Sequence, residues 1–190
     1  MNKQVLREMF LEKRKTLTSN EHALRSDKVN DFAIQFIKDR PIKSIHLFMP
    51  IERQREVDTQ SIFEFLQKSA AHRIILPKVK TETNELIHIE YGIETKLLKG
   101  KYGILEPSNG KLIAPKHIDC VFIPLISFDR LGHRIGYGGG YYDKFLSQLP
   151  ESSLKVGLST STPLDLIPYI EDHDVRMDYC INHQTTYSFK

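Results

Sequence analysis

The sequence predicts an α/β fold, a three-layer α/β/α sandwich about a mostly parallel, Rossmann-like central sheet. Three observations predict it. Apolar runs of strand length alternate with helically spaced segments, as β-α-β units require. The stretch Asp119 to Ser127, DCVFIPLIS, is apolar at nearly every position, the pattern of a strand covered on both faces in a parallel sheet. No internal repeat, low-complexity tract or Ser/Gly-rich linker divides the 190 residues, so 1–190 is expected to form one domain of ordinary size.

The elements follow in order. Over residues 2 to 17, Val5, Leu6, Met9, Phe10 and Leu17 recur at helical spacing, and Thr18 with Glu21 three residues on makes a capping box for a second helix that stops before Pro41. Ser44 to Met49 reads as a strand, Gln60 to Ala70 as a helix capped by Asp58 or Thr59, and Arg73 to Leu76 as the next strand. Glu85 to Tyr91 alternates like a strand. Asp119 to Ser127 supplies the sheet centre, Tyr141 to Leu149 a helix and Leu154 to Ser159 a further strand.

Composition narrows the function classes. Asp119 and Asp129 bound even the richest apolar run, Cys120 to Phe128, whereas a membrane helix needs about 18 to 20 uninterrupted apolar residues; a soluble protein without a membrane partner is expected. The opening MNKQVLREMFLEKRK lacks the apolar middle of a secretory leader. Cys120 and Cys180 sit among apolar neighbours, outside any CxxC or Cys/His metal spacing. Buried inert thiols and a reducing, cytoplasmic setting fit them. A net charge of +3 falls short of a nucleic-acid footprint, so acidic small molecules are the expected partners.

Chemistry concentrates in FDRLGHRIGYGGGYYDKFL. Half of the ten glycines lie between Gly132 and Gly140, where backbone free of side chains takes positive φ and brings N–H groups close to an anion. The stretch matches neither a Walker A loop nor GxGxxG, since position 141 is Tyr. Arg134 beside it favours anion binding over a plain turn. On the first helix Lys3, Arg7 and Arg14 project within about 40° of one another, either a solvated basic face or a stripe that meets a polyphosphate. Asp143 and Asp174 offer oxygen ligands for magnesium, or serve only as a helix-start carboxylate and a turn residue. Glu56 lies after the first strand, where α/β folds gather ligand groups, and Tyr137 is the aromatic best placed to stack on a heterocycle. The eight histidines show no zinc spacing.

Five separated pieces then resemble the 5-formyltetrahydrofolate cyclo-ligase family: Lys3, Leu6-Arg7 and Arg14; EVDT at 56–59; YGILEP at 102–107; the glycine-rich stretch at 128–146; and HDVRMD at 173–178. The resemblance implies an enzyme that uses ATP and Mg2+ to convert 5-formyltetrahydrofolate to 5,10-methenyltetrahydrofolate. It implies ATP against Lys3, Arg7 and Arg14 and the loop of Arg134, Gly136, Tyr137, Gly138, Gly139, Gly140, Tyr141 and Tyr142. Arg134 and Lys3 are the implied catalytic cations, Asp143 and Asp174 the implied metal ligands. Met49, Glu56 and Tyr137 are implied to touch the folate; the sequence leaves open whether a polyglutamated form is preferred. The implied reaction phosphorylates the formyl oxygen, and attack by N10 then closes the ring. A monomer is expected. The segment STSTPLD departs from the family pattern and receives no ligand. Two rivals stand beside this reading: a sugar-phosphate isomerase or coenzyme A transferase on a related fold, and a nucleic-acid contact made by the basic first helix.

Overall fold

The computed structural model describes residues 3–100 and 102–190. Helix α1, Lys3–Lys15, buries Leu6 and Phe10; Asn2, where the sequence reading begins this helix, lies outside the described residues. Helix α2, Ser19–Lys38, starts on the expected capping box. Glu21 N–H donates to Thr18 Oγ1 at 3.2 Å and Thr18 N–H donates to Glu21 Oε2 at 2.8 Å, which satisfies two donors that a helix start otherwise leaves orphaned.

The remaining elements are β1 Ser44–His46, α3 Gln60–Gln67, β2 Arg73–Lys80, β3 Glu85–Tyr91, β4 Leu97–Lys99, β5 Leu105–Pro107, β6 Lys111–Leu112, β7 Cys120–Pro124, β8 Ser127–Phe128, β9 Arg134–Ile135, α4 Tyr141–Leu146, β10 Leu154–Ser159, β11 Tyr179–Asn182 and β12 Thr186–Ser188. An eight-stranded sheet runs in the order β12-β11-β10-β7-β1-β2-β3-β6. Its centre, β11 through β2, is parallel, and its edges, β12 on one side and β3 with β6 on the other, are antiparallel. Two hairpins, β4–β5 and β8–β9, stand outside it. The chain runs outward from β1 to β2 and then returns to β7 on the other side of β1. That reversal leaves a crevice beyond the carboxyl ends of β1 and β7, the place where such sheets hold ligands.

Alternation along the strands builds the layers. Ile74 and Leu76 of β2 and Cys120 and Phe122 of β7 face the core beneath α2 and α3, whereas Ile75, Val121 and Ile123 face the core that holds Phe145 and Leu146 of α4. Each fully buried aliphatic or aromatic side chain contributes roughly 1.5–3 kcal/mol. A third cluster of Leu6, Phe10, Ile126, Ile135 and Ile167 seats α1 on the β8–β9 hairpin. Cys120 and Cys180 are buried and free, and burial pushes both thiols up in pKa. Among the described residues no helix is long and apolar enough to cross a membrane.

Two boundaries differ from expectation for one physical reason. β1 was expected to reach Met49, but it leaves the ladder after Leu47 N–H donates to Ile75 O at 2.9 Å. β2, expected to stop ahead of Pro77, runs on to Lys80. Residues 75, 77 and 79 point their backbone groups to the same edge, so the N–H that proline lacks falls where β1 has already departed. The two expected helix tails are also shorter, α3 ending at Gln67 and α4 at Leu146.

Candidate active site

The crevice holds a cavity of about 640 Å³. Phe48 and Met49 reach it from the end of β1, Pro124 from the end of β7, Pro77 and Val79 from the overhanging part of β2, and the glycine loop from between β9 and α4. Its two ends differ in chemistry. One is mainly apolar, with Met49, Ile51, Val79, Leu86 and Ile104. The other gathers Lys3, Arg7 and Arg134 against Gly138, Gly139 and Gly140.

At the cationic end α1 is tied to the loop. Arg7 Nε donates to Gly136 O at 2.8 Å. Gly138 and Gly140 have φ of 88° and 68°, a backbone that favours glycine, and a Cβ at Gly138 would lie 3.1 Å from the Arg7 guanidinium carbon and press on it. Helix α4 spans only Tyr141–Leu146, a short peptide dipole, so the side-chain cations supply most of the positive field. Lys3 Nζ lies 2.7 Å from Asp174 Oδ2, and Arg134 donates to Asp143 Oδ1 and to Val175 O. Burial pulls the Arg134 pKa down, against the opposing charges of Asp143 and Asp174. Burial alone would raise Asp174, but its hydrogen bonds from Lys3 and the Glu171 N–H, with the Lys3 and Arg134 charges, outweigh that and hold its carboxyl below the usual range. The two carboxylates expected to bind metal therefore line the cavity, each steadied by a cation.

Arg14 is a correction to the sequence reading. It shares the stripe with Lys3 and Arg7 but is buried and does not line the cavity. Its guanidinium donates to Leu125 O at 2.5 Å, Ile126 O at 3.0 Å and the Tyr137 hydroxyl at 2.9 Å. Those bonds anchor α1 to the end of the sheet and leave Arg14 no free donor fork for a nucleotide.

Glu56 is no exposed loop residue. It is 4% exposed; Oε2 accepts the Ile51 N–H at 2.6 Å, and Oε1 is buried with no partner among the described residues. Burial raises its pKa, opposed by the Ile51 N–H, the Tyr137 hydroxyl and the Arg14 charge. Tyr137 stands between Arg14 and Glu56 on the cavity wall. Tyr141 forms a 3.1 Å hydroxyl pair with Tyr102 across the cavity rim, while Tyr142 turns toward His46 at a ring separation of 6.3 Å.

The sequence profile of the 5-formyltetrahydrofolate cyclo-ligase family matches residues 1–183. The chain belongs to that family. Among cyclo-ligase relatives, one from Mycoplasma pneumoniae named 5-formyltetrahydrofolate cyclo-ligase is 32% identical over 186 residues, covering 97% of this chain and 100% of the relative. Another of that name, from Haemophilus influenzae, is 30% identical and covers 84% of this chain and 87% of itself. A solved 5,10-methenyltetrahydrofolate synthetase from Aquifex aeolicus superposes with a TM-score of 0.87 at 30% identity, over 100% of this chain and 94% of that one. The cyclo-ligase segment YGILEP, left without a role by sequence reasoning, brings Tyr102, Ile104 and Glu106 onto the cavity. His173 joins Glu171 and Asp174 in a group whose ligand atoms lie within 4.8 Å of one another; Asp143 is not among them. No motif marked Pro77 or Val79, because their place depends on the overhang of β2.

Proposed function

We propose that the chain catalyses ATP- and magnesium-dependent conversion of 5-formyltetrahydrofolate to 5,10-methenyltetrahydrofolate, with release of ADP and phosphate. One observation carries the reading: a single cavity joins an apolar end bearing the Glu56 carboxylate to a cationic end built on positive-φ glycines. A flat heterocycle suits the first and a triphosphate the second, so both reactants meet in one chamber, which is the main requirement of phosphoryl transfer.

In this reading Lys3, Arg7 and Arg134 neutralise the phosphates, and the loop from Gly136 to Tyr142 supplies N–H donors. Magnesium fits Asp143 and Asp174, which present hard oxygen donors at the same end of the cavity; when bound it spreads the charge of the phosphate oxygens. Glu56 accepts N–H groups of the folate ring through Oε1, the atom without a partner, and Met49 and Tyr137 pack on the ring. The formyl oxygen takes the γ-phosphoryl group and becomes a good leaving group. N10 attacks the activated carbon and gives up its proton to the departing phosphate, the carbon–oxygen bond breaks, and phosphate leaves as the ring closes. No protein nucleophile is needed, since charge neutralisation and positioning lower the barrier.

The same reading takes residues 1–190 as one cytoplasmic, monomeric domain that accepts polyglutamated folates and engages neither nucleic acid nor membrane. It is supported by a sheet drawing strands from Ser44 to Ser188 and by α1 cations that turn onto the cavity wall. The test mixes purified protein, 5-formyltetrahydrofolate and Mg-ATP and follows the near-ultraviolet absorption of the methenyl product. Absorption should rise only with ATP present; a flat trace, or a rise without ATP, refutes the proposal.

A further inference from the structure

Glu106 lies on β5 in the cavity wall, on the side of Val79 and the Tyr102–Tyr141 pair, and is 9% exposed. Its position follows from the mismatch between β1 and β2. Beyond Leu47 the edge of β2 is uncovered, and the first N–H it presents there, after Pro77, belongs to Val79. That N–H donates to Glu106 Oε1 at 3.3 Å. Oε2 has no hydrogen-bond partner among the described residues, and no cation there pairs with the carboxylate. Gly100 packs directly against the carboxyl group, so that a methyl group added at Gly100 would overlap it. Gly100 N–H in turn donates to Ile104 O at 2.8 Å, which fixes the turn leading back into β5. At the cavity rim Tyr141 is pushed up to about 12, first by its bond with Tyr102, then by burial and the Tyr102 charge, and last by Glu106.

A neutral acceptor would satisfy the Val79 N–H equally well. A carboxylate at the cavity wall with a single 3.3 Å bond keeps acceptor capacity to spare, and a bound molecule that brings donors to the second oxygen uses it. We infer that Glu106 is a second recognition carboxylate for the heterocycle, on the same cavity wall as Glu56 and accepting a ligand N–H through Oε2. The inference rests on the folate reading of the cavity, and it makes the cavity selective for rings that carry N–H donors at more than one position.

Four proteins test it: the parent, Glu106→Gln, Gly100→Ala and the variant that carries both substitutions. The glutamine keeps an oxygen for the Val79 N–H but replaces the free acceptor with a donor, so a purely structural role leaves this variant silent. Recognition instead raises the KM for 5-formyltetrahydrofolate about tenfold or more, with the KM for ATP unchanged, and weakens folate binding measured by calorimetry without ATP. Gly100→Ala, which displaces the carboxyl group, should raise the folate KM in the parent background and add little to Glu106→Gln, as coupled sites do. A parent enzyme without turnover defeats the folate reading itself. An active parent with an unchanged folate KM in Glu106→Gln, or with additive effects of the two substitutions, overturns the role of Glu106 alone.

Discussion

Glu56 sits with Oε1 buried and unpartnered beside an apolar chamber, and burial raises its pKa above the ordinary 4.5. Between that ordinary value and the raised one, the folded protein holds the proton more tightly than the unfolded chain does. Stability therefore falls as pH rises through the window, and above it the charged carboxylate is a standing cost to the empty protein. Glu56→Gln should raise the melting temperature at pH 8, with the difference from the parent shrinking as pH drops toward 4.5. The same variant should raise the folate KM about tenfold while sparing the ATP KM. Thermal melts across pH, paired with steady-state kinetics, check both; a variant less stable at pH 8 contradicts the burial argument. At this scale the sequence was informative only in part. The glycine concentration and the nearby cations marked the cationic end of the cavity, whereas Arg7 and Arg14 were indistinguishable by spacing. What separates them is depth: the one reaches a loop carbonyl at the cavity, the other the carbonyls of Leu125 and Ile126.

The two opening helices differ in what holds them. α2 depends locally on its capping box, so Thr18→Ala should cost about 1 kcal/mol of stability, read as a lower denaturant midpoint, with unchanged kcat and KM for both substrates. α1 depends on a distant anchor. Arg14→Met removes the donors for Leu125 O, Ile126 O and the Tyr137 hydroxyl, and leaving such buried acceptors unpaired costs about 2–4 kcal/mol. Because α1 carries Lys3 and Arg7 and Tyr137 adjoins Glu56, calorimetry on Arg14→Met should show weaker binding of nucleotide and folate together. Loss of nucleotide binding alone would place Arg14 at the phosphates instead. The parallel core was readable because long apolar runs leave few alternatives. The hairpins β4–β5 and β8–β9, with two or three residues per strand, carry too little alternation to be recognised. Pro77 read as a stop because only the tertiary structure shows that β1 has left the edge it faces.

Across the whole molecule the sheet is coupled to α4 by a buried aromatic group. His46 of β1 and His88 of β3 have ring centroids 5.1 Å apart, and His88 stacks on Phe145 of α4 at 3.9 Å. Both ring nitrogens of His46 and Nδ1 of His88 are buried with no partner among the described residues. Burial, with the His88 charge as a second cause, depresses His46 well below 6.5, and burial lowers His88 to about 4. Folded values below unfolded ones mean that this stability is complete above 6.5 and is lost as pH falls toward 4 and below. Unfolding free energies from urea titrations should drop over that range by a few kcal/mol, and His88→Phe should reduce the dependence, leaving the part due to His46; a parent profile level from pH 7 to 4 contradicts it. The loop that closes the cationic end leads directly into α4, so the same packing supports the site.

That loop allows the most direct measurement. Mg-ATP is titrated by calorimetry into the parent and into Gly138→Ala, where the added carbon meets the Arg7 guanidinium and the backbone holds a φ of 88°. Nucleotide affinity should fall at least tenfold, with 5-formyltetrahydrofolate binding retained. Equal nucleotide affinities in the two proteins, or no heat of binding in the parent, contradict a glycine loop that cradles the triphosphate.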